Sequence, residues 1–238
     1  TGVGFQPDWV WTKNRSAANS NTLGDVVRGT GKSLLSDSNS AEFTNNTYGY
    51  HSAFASDGFS LTGSQAAAGG DNVNKNSNDY VNFCWKAGTG QGSSNTDGSI
   101  NTTYTSVNTT AGFSISTYTG TGSSATIGHG LGVAPEFIIT KQLSSTQDWN
   151  VQATVLGYSK YLVLNSNAAQ ANTSGALISS VSSSTVTVDG NSQVNGSGAT
   201  YVMYCFASKT GYSKFGKYEG NGNASGTFIY TGFKPAWL

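Results

Sequence analysis

Charge is scarce in this chain. Lysine and arginine number 12 and aspartate and glutamate 12, so charged residues make up 10% of the 238 and the formal net charge is zero. Globular domains usually carry about a quarter. An even balance without a basic run leaves no electrostatic footprint for nucleic acid. No apolar run approaches the ~20 residues that span a bilayer, so membrane insertion is not expected, and no signal peptide is visible. Twelve scattered acids suggest no catalytic pair, and His51 and His129 lack a Ser or Cys partner in a recognisable nucleophilic arrangement. No catalytic residue and no cofactor is nominated, and the chain is read as a non-enzyme.

Metal and disulfide chemistry are equally thin. The stretch Asp71 to Asp79 is rich in oxygen ligands, but it lacks the glycine and terminal glutamate of a calcium loop, and Lys75 would repel a cation. The only cysteines are Cys84 and Cys205. They occupy equivalent places in repeated strands, and such places usually lie far beyond the roughly 4.4–6.8 Å between Cα atoms that a disulfide needs. Two free, buried thiols are expected.

Proline is the scarcity that organises the rest. Its three occurrences, Pro7, Pro135 and Pro235, each follow a glycine by three positions and precede an aromatic by two. The phrases are Gly4 to Trp9, Gly132 to Phe137 and Gly232 to Trp237. Proline fixes φ and donates no hydrogen bond, so it belongs at a strand entrance. β-Branched and aromatic residues follow, ending in Thr12-Lys13 and Thr140-Lys141, as a strand requires.

The repetition is longer than the phrase. Adding 128 to Pro7, Lys13, Lys32, Leu34, Ser38 and Ala41 gives Pro135, Lys141, Lys160, Leu162, Ser166 and Ala169. Tyr80 to Trp85 is answered by Tyr201 to Phe206, 121 further on, and Tyr118, Gly120 and Gly122 recur as Tyr218, Gly220 and Gly222, 100 further on. The chain is a tandem duplication with a third copy begun, and the shrinking offset puts length changes in loops.

What replaces charge is glycine, 31 residues of it, with serine, threonine and asparagine. Short alternating strands between turn signals predict an all-β fold of tandem sandwich or jelly-roll repeats. Strands are expected at 5–12, within 25–35, after the Asp57-Gly58 turn, and at 80–85, 113–118, 125–129, 149–155, 160–164 and 201–207. Residues 80–85 carry apolar groups on both faces and read as a central strand. One helical turn is allowed near Ala66 to Ala68, and 88–110 reads as a linker. The divisions are 1–110, a first sandwich repeat without its opening strand plus linker; 111–208, a second repeat; and 209–238, opening strands of a third repeat or a strand donated to a neighbour. The chain is expected to be a window of a longer polypeptide.

Aromatics outside the repeated strand positions offer a functional hint. Trp149, Tyr48, Tyr50 and Tyr158 lie in or beside loops amid Asn and Asp, the setting in which carbohydrate sites stack sugars and hydrogen-bond them. The competing reading is that they are core.

Several strings carry a resemblance: Pro7 to Arg15, Val27-Arg28-Gly29, Ser56 to Phe59, Tyr80 to Gly88, Gly128 to Pro135, and Gly211 to Gly216. With these the chain resembles a family of tandem β-repeat proteins encoded by marine tailed phages. Its members are usually assigned as tail-fibre-like or otherwise virion-associated, with concanavalin-like sandwich repeats. The resemblance implies a virion structural protein on the outer surface of the particle. It would self-associate, contact other virion proteins and adhere to host-surface polysaccharide. A purely architectural subunit and a polysaccharide depolymerase are the alternatives.

Overall fold

The computed structural model describes residues 2–45, 47–63, 72–172 and 177–238. The turn expected at Ala66 to Ala68, and Asp71 of the oxygen-rich stretch, lie outside the described residues. The first repeat contains β1 (Trp9–Asn14), β2 (Thr22–Asp25), β3 (Lys32–Leu35), β4 (Phe43–Thr44), β5 (Tyr50–Ala55), β6 (Gly58–Thr62) and β7 (Tyr80–Trp85). Then come β8 (Tyr104–Asn108), β9 (Phe113–Thr119) and β10 (Ala125–Gly128). The second repeat continues with β11 (Phe137–Gln142), β12 (Asn150–Ala153), β13 (Lys160–Val163), β14 (Ala171–Asn172), β15 (Ile178–Val181), β16 (Thr185–Val188) and β17 (Thr200–Phe206). Apart from a single 3-10 turn at Thr154–Leu156, the described residues form strands and loops, an all-β sandwich.

Duplication is visible in the topology. One sheet runs β4-β3-β2-β1-β7, and another β14-β13-β12-β11-β17-β9-β8. The first five strands of each correspond one to one. Two small sheets complete the repeats: the hairpin β5-β6 and the three-stranded β10-β16-β15. Both hairpins carry a register shift at the same place, between His51 and Ala53 and between Ile178 and Ser180. The repeated phrase also has a backbone reason. Gly4, Gly132 and Gly232 all sit at positive φ (84°, 73° and 84°), where a Cβ is strained, so glycine makes the turn and proline then enters the strand.

The repeats do not stand side by side. Their equivalent faces meet in one buried layer, with Trp9, Leu23 and Leu34 on one side and Phe113, Trp149, Val151, Val202 and Tyr204 on the other. Trp9 lies at its centre, with ring centroids 4.4 Å from Trp85, 4.7 Å from Tyr204 and 5.9 Å from Phe113. A second core, containing Tyr118, Ile127, Ile138, Ile178, Val186, Tyr201, Met203 and Cys205, fills the space between the seven-stranded and three-stranded sheets.

Three sequence expectations change. Residues 88–110 are not simply a linker, because β8 pairs with β9 along its length and Ile100 bridges Ile127. Its alternating Thr and Ser read as loop, yet Thr105 and Ser106 are buried and Thr105 hydrogen-bonds Ser116 at 3.0 Å. Secondly, among the described residues β7 pairs with β1 alone, whereas its counterpart β17 is central. Lastly, residues 209–238 form no strand beyond the isolated bridge Lys209–Ser213.

Candidate functional site

The four aromatics nominated for glycan binding do not assemble into one platform. Trp149 is fully buried in the layer between repeats, and its indole Nε1 donates to the carbonyls of Leu35 (2.9 Å) and Ser38 (3.1 Å). It stitches the repeats and cannot stack on a sugar. Tyr158 packs, half-buried, against the second repeat's outer core. Tyr50 opens β5 and is partly covered, while Tyr48, 47% exposed, keeps a face to solvent.

A concentration of charge does exist, and it is buried. Asp25 ends β2 opposite Trp9; its carboxylate accepts from Arg28 Nε at 2.5 Å and from the Tyr204 hydroxyl at 2.6 Å. Arg28 also donates to Glu42 at 3.0 Å and to the Leu23 carbonyl at 3.2 Å, and Lys32 lies 3.3 Å from Glu42. Burial pulls on the Arg28 guanidinium, but Asp25, Tyr204 and Glu42 outweigh it and hold its pKa above the ordinary value. The Tyr204 hydroxyl is raised well above its usual range by burial and by Asp25. Because Tyr204 belongs to β17, the cluster ties one repeat to the other. Desolvation offsets much of the attraction within an ion group this enclosed, so its presence is weak evidence of added stability.

Both histidines serve the framework. His51 Nε2 lies 3.0 Å from Thr12 Oγ1, which itself donates to Asn82 Oδ1 at 2.6 Å. Burial, then the Arg28 charge, lower the His51 pKa to about 4, with Asp25 opposing. Gly24 is required beneath it, since a Cβ there would stand 2.6 Å from Nδ1. His129 Nδ1 accepts from the Leu131 amide at 3.2 Å, which leaves Nε2 to donate to Ser182 O at 3.3 Å. Burial lowers its pKa as well. Lys141 is buried, its ammonium on the Gln142 carbonyl at 2.7 Å; burial brings its pKa down to about 8 against the pull of Asp148. Acids at the strand entrances are also occupied. Asp8 accepts from the amides of Thr89 (3.0 Å) and Gly90 (3.2 Å), and its counterpart Glu136 accepts from Ser208 at 2.8 Å.

One accessible feature among the described residues lies beside β7. A shallow, open depression there is lined by Phe5, Cys84, Lys86, Asn108, Lys209 and Tyr212. Cys84 and Cys205 are free thiols. Cys205 is sealed in the core, whereas Cys84 lines this depression partly buried, with burial raising the pKa of each. Trp237, of the third phrase, packs edge-on against Trp85 (5.8 Å) and Phe83 (6.2 Å) from outside. Among the described residues no group of His, Cys, Asp or Glu has the arrangement of a metal site. No helix there is long and apolar enough to cross a membrane.

A family model described as a domain of unknown function, DUF7483, matches residues 1–238. The chain belongs to the DUF7483 family. No curated protein and no solved structure matches it. The buried charges could not have been located from the sequence. Asp25, Arg28 and Glu42 are near neighbours there, but Tyr204 arrives from the other repeat.

Proposed function

We propose that this protein is a structural component of a bacteriophage particle, tail-fibre-like or an exterior decoration, which works on the outer surface by assembly and contact. The observation that carries the reading is the aromatic layer. Two repeats fused face to face around Trp9, Trp149 and Tyr204 make a rigid block, and their tryptophans, histidines and most central charges are spent on holding it. Adhesion to host-surface polysaccharide is the activity proposed for its exposed face. Tyr48, the one nominated aromatic that is exposed, is its contact residue.

A polysaccharide depolymerase would need two carboxylates converging in a groove. Asp8, Asp25 and Glu136 are each engaged in framework hydrogen bonds instead. The test is an array of bacterial surface polysaccharides, with released reducing ends assayed in parallel. Saturable binding without release, weakened at least tenfold by Tyr48→Ala, is expected. Absence of binding would leave a purely architectural subunit, and sugar release would overturn the reading.

A further inference from the structure

Two Asn-Gly pairs occur in the chain, Asn195-Gly196 and Asn221-Gly222. An asparagine followed by glycine carries a reaction of its own. The next amide nitrogen can reach the side-chain carbonyl carbon, and glycine has no Cβ to obstruct the approach. The two pairs meet opposite surroundings in this fold.

Asn195 is fully buried. Its Oδ1 accepts from the Thr121 amide at 2.8 Å and its Nδ2 donates to Ser123 O at 2.6 Å, so the side chain staples the turn between β9 and β10. The attacking group is occupied as well, because the Gly196 amide donates to the Tyr201 hydroxyl at 2.7 Å. Neither the carboxamide nor the amide can turn toward the other without breaking these bonds.

Asn221 sits differently. Adding 100 to Gly120, Thr121 and Gly122 gives Gly220, Asn221 and Gly222, so the pair occupies the counterpart of that same turn. Gly122 and Gly222 share the left-handed backbone, with φ of 75° and 68°. In the second repeat, where β9 and β10 are both paired, Thr121 and Gly122 are exposed, as are Asn221 and Gly222. Exposure thus belongs to the turn itself. Asn221 Oδ1 accepts from the Asn223 amide at 3.0 Å, and Nδ2 donates to Ser225 O at 3.0 Å. The first of these is an Asx turn, which loops the carboxamide around Gly222. The same N–H is placed to hold charge that builds on Oδ1 during attack.

We propose that Asn221 is a self-modification site, where the Gly222 nitrogen displaces the side-chain amide. The nitrogen bonds to Asn221 Cγ, the Cγ–Nδ2 bond breaks, and ammonia leaves with the proton that the Gly222 amide gives up. Water then opens the resulting five-membered imide at either carbonyl. One opening leaves aspartate, the other an isoaspartate whose backbone runs through the former side chain. Nothing is oxidised or reduced. Either product adds a negative charge to a chain whose formal net charge is zero, at an exposed turn near Lys217 and Glu219. The change runs one way and accumulates with age, and it does not depend on what the protein binds.

Peptide mapping by mass spectrometry tests this on the whole chain, held folded in mildly alkaline buffer and sampled over time. The peptide holding Asn221 is expected to convert at least tenfold faster than the one holding Asn195, and to give both product forms. Its rate should rise with pH, because the attacking nitrogen must lose its proton. In urea the two rates should converge. Gly222→Ala should slow conversion at least tenfold. A Cβ there meets nothing within 4 Å, so an unchanged melting temperature is expected. Asn221→Gln, whose side chain is one methylene longer, should abolish conversion at that position. Equal rates at the two pairs in the folded chain, or a Gly222→Ala rate matching the original, would overturn the proposal. Conversion without isoaspartate would overturn the imide route in favour of direct hydrolysis.

Discussion

Acid should loosen this fold through His51, and the size of the effect follows from its surroundings. The ring is enclosed beside Gly24, Phe54 and Phe59, with Thr12 on Nε2 and the Arg28 charge nearby. Its pKa is lowered from 6.5 to about 4. Below pH 6.5 the unfolded chain therefore binds a proton that the folded chain refuses. Stability is full above that pH, falls as pH drops, and levels off below about 4. A gap of this width, at 1.36 kcal/mol per unit, corresponds to roughly 3 kcal/mol between neutral pH and pH 4. His129 adds in the same direction. Urea unfolding at half-unit steps from pH 7 to 4 should show the loss. His51→Ile, which installs the residue found at the equivalent bulge in the second repeat, should remove most of that loss whatever it does to stability at pH 7. Parallel pH profiles for the two proteins would refute the account of His51 as a buried neutral group.

Trp149→Ala should cost about 4 kcal/mol, from the emptied volume and two carbonyls left without their donor. The melting temperature should fall while polysaccharide binding by the folded fraction stays unchanged; a selective loss of binding would restore Trp149 as a contact residue. A maleimide should label Cys84 under native conditions and leave Cys205 protected until global unfolding. Equal labelling rates would contradict the sealed core around Cys205.

Much of the architecture was legible because the chain states it twice. The repeated Gly-x-x-Pro phrase located the entrances to β1 and β11, and the 121-residue spacing matched β7 to β17 before any pairing was known. What repetition cannot convey is how the copies meet. Trp149 looked like an exposed loop aromatic because the carbonyls that take its N–H, Leu35 and Ser38, belong to the other repeat. β7 reads as central because its own residues suit a central strand, whereas among the described residues it pairs with β1 alone. β8 escaped notice for a different reason: its buried face is lined with hydroxyls that satisfy one another, so it lacks apolar alternation.

The face-to-face layer also limits how the two halves can change. In a string of independent modules, each copy drifts alone and can be lost, gained or exchanged. Here Trp9 of one copy rests on Tyr204 of the other, and Asp25 holds the same tyrosine's hydroxyl. An alteration on either side is therefore felt across the seam. The two copies are thus held as one packed piece, and a change of size on one side of the seam calls for a matching change on the other.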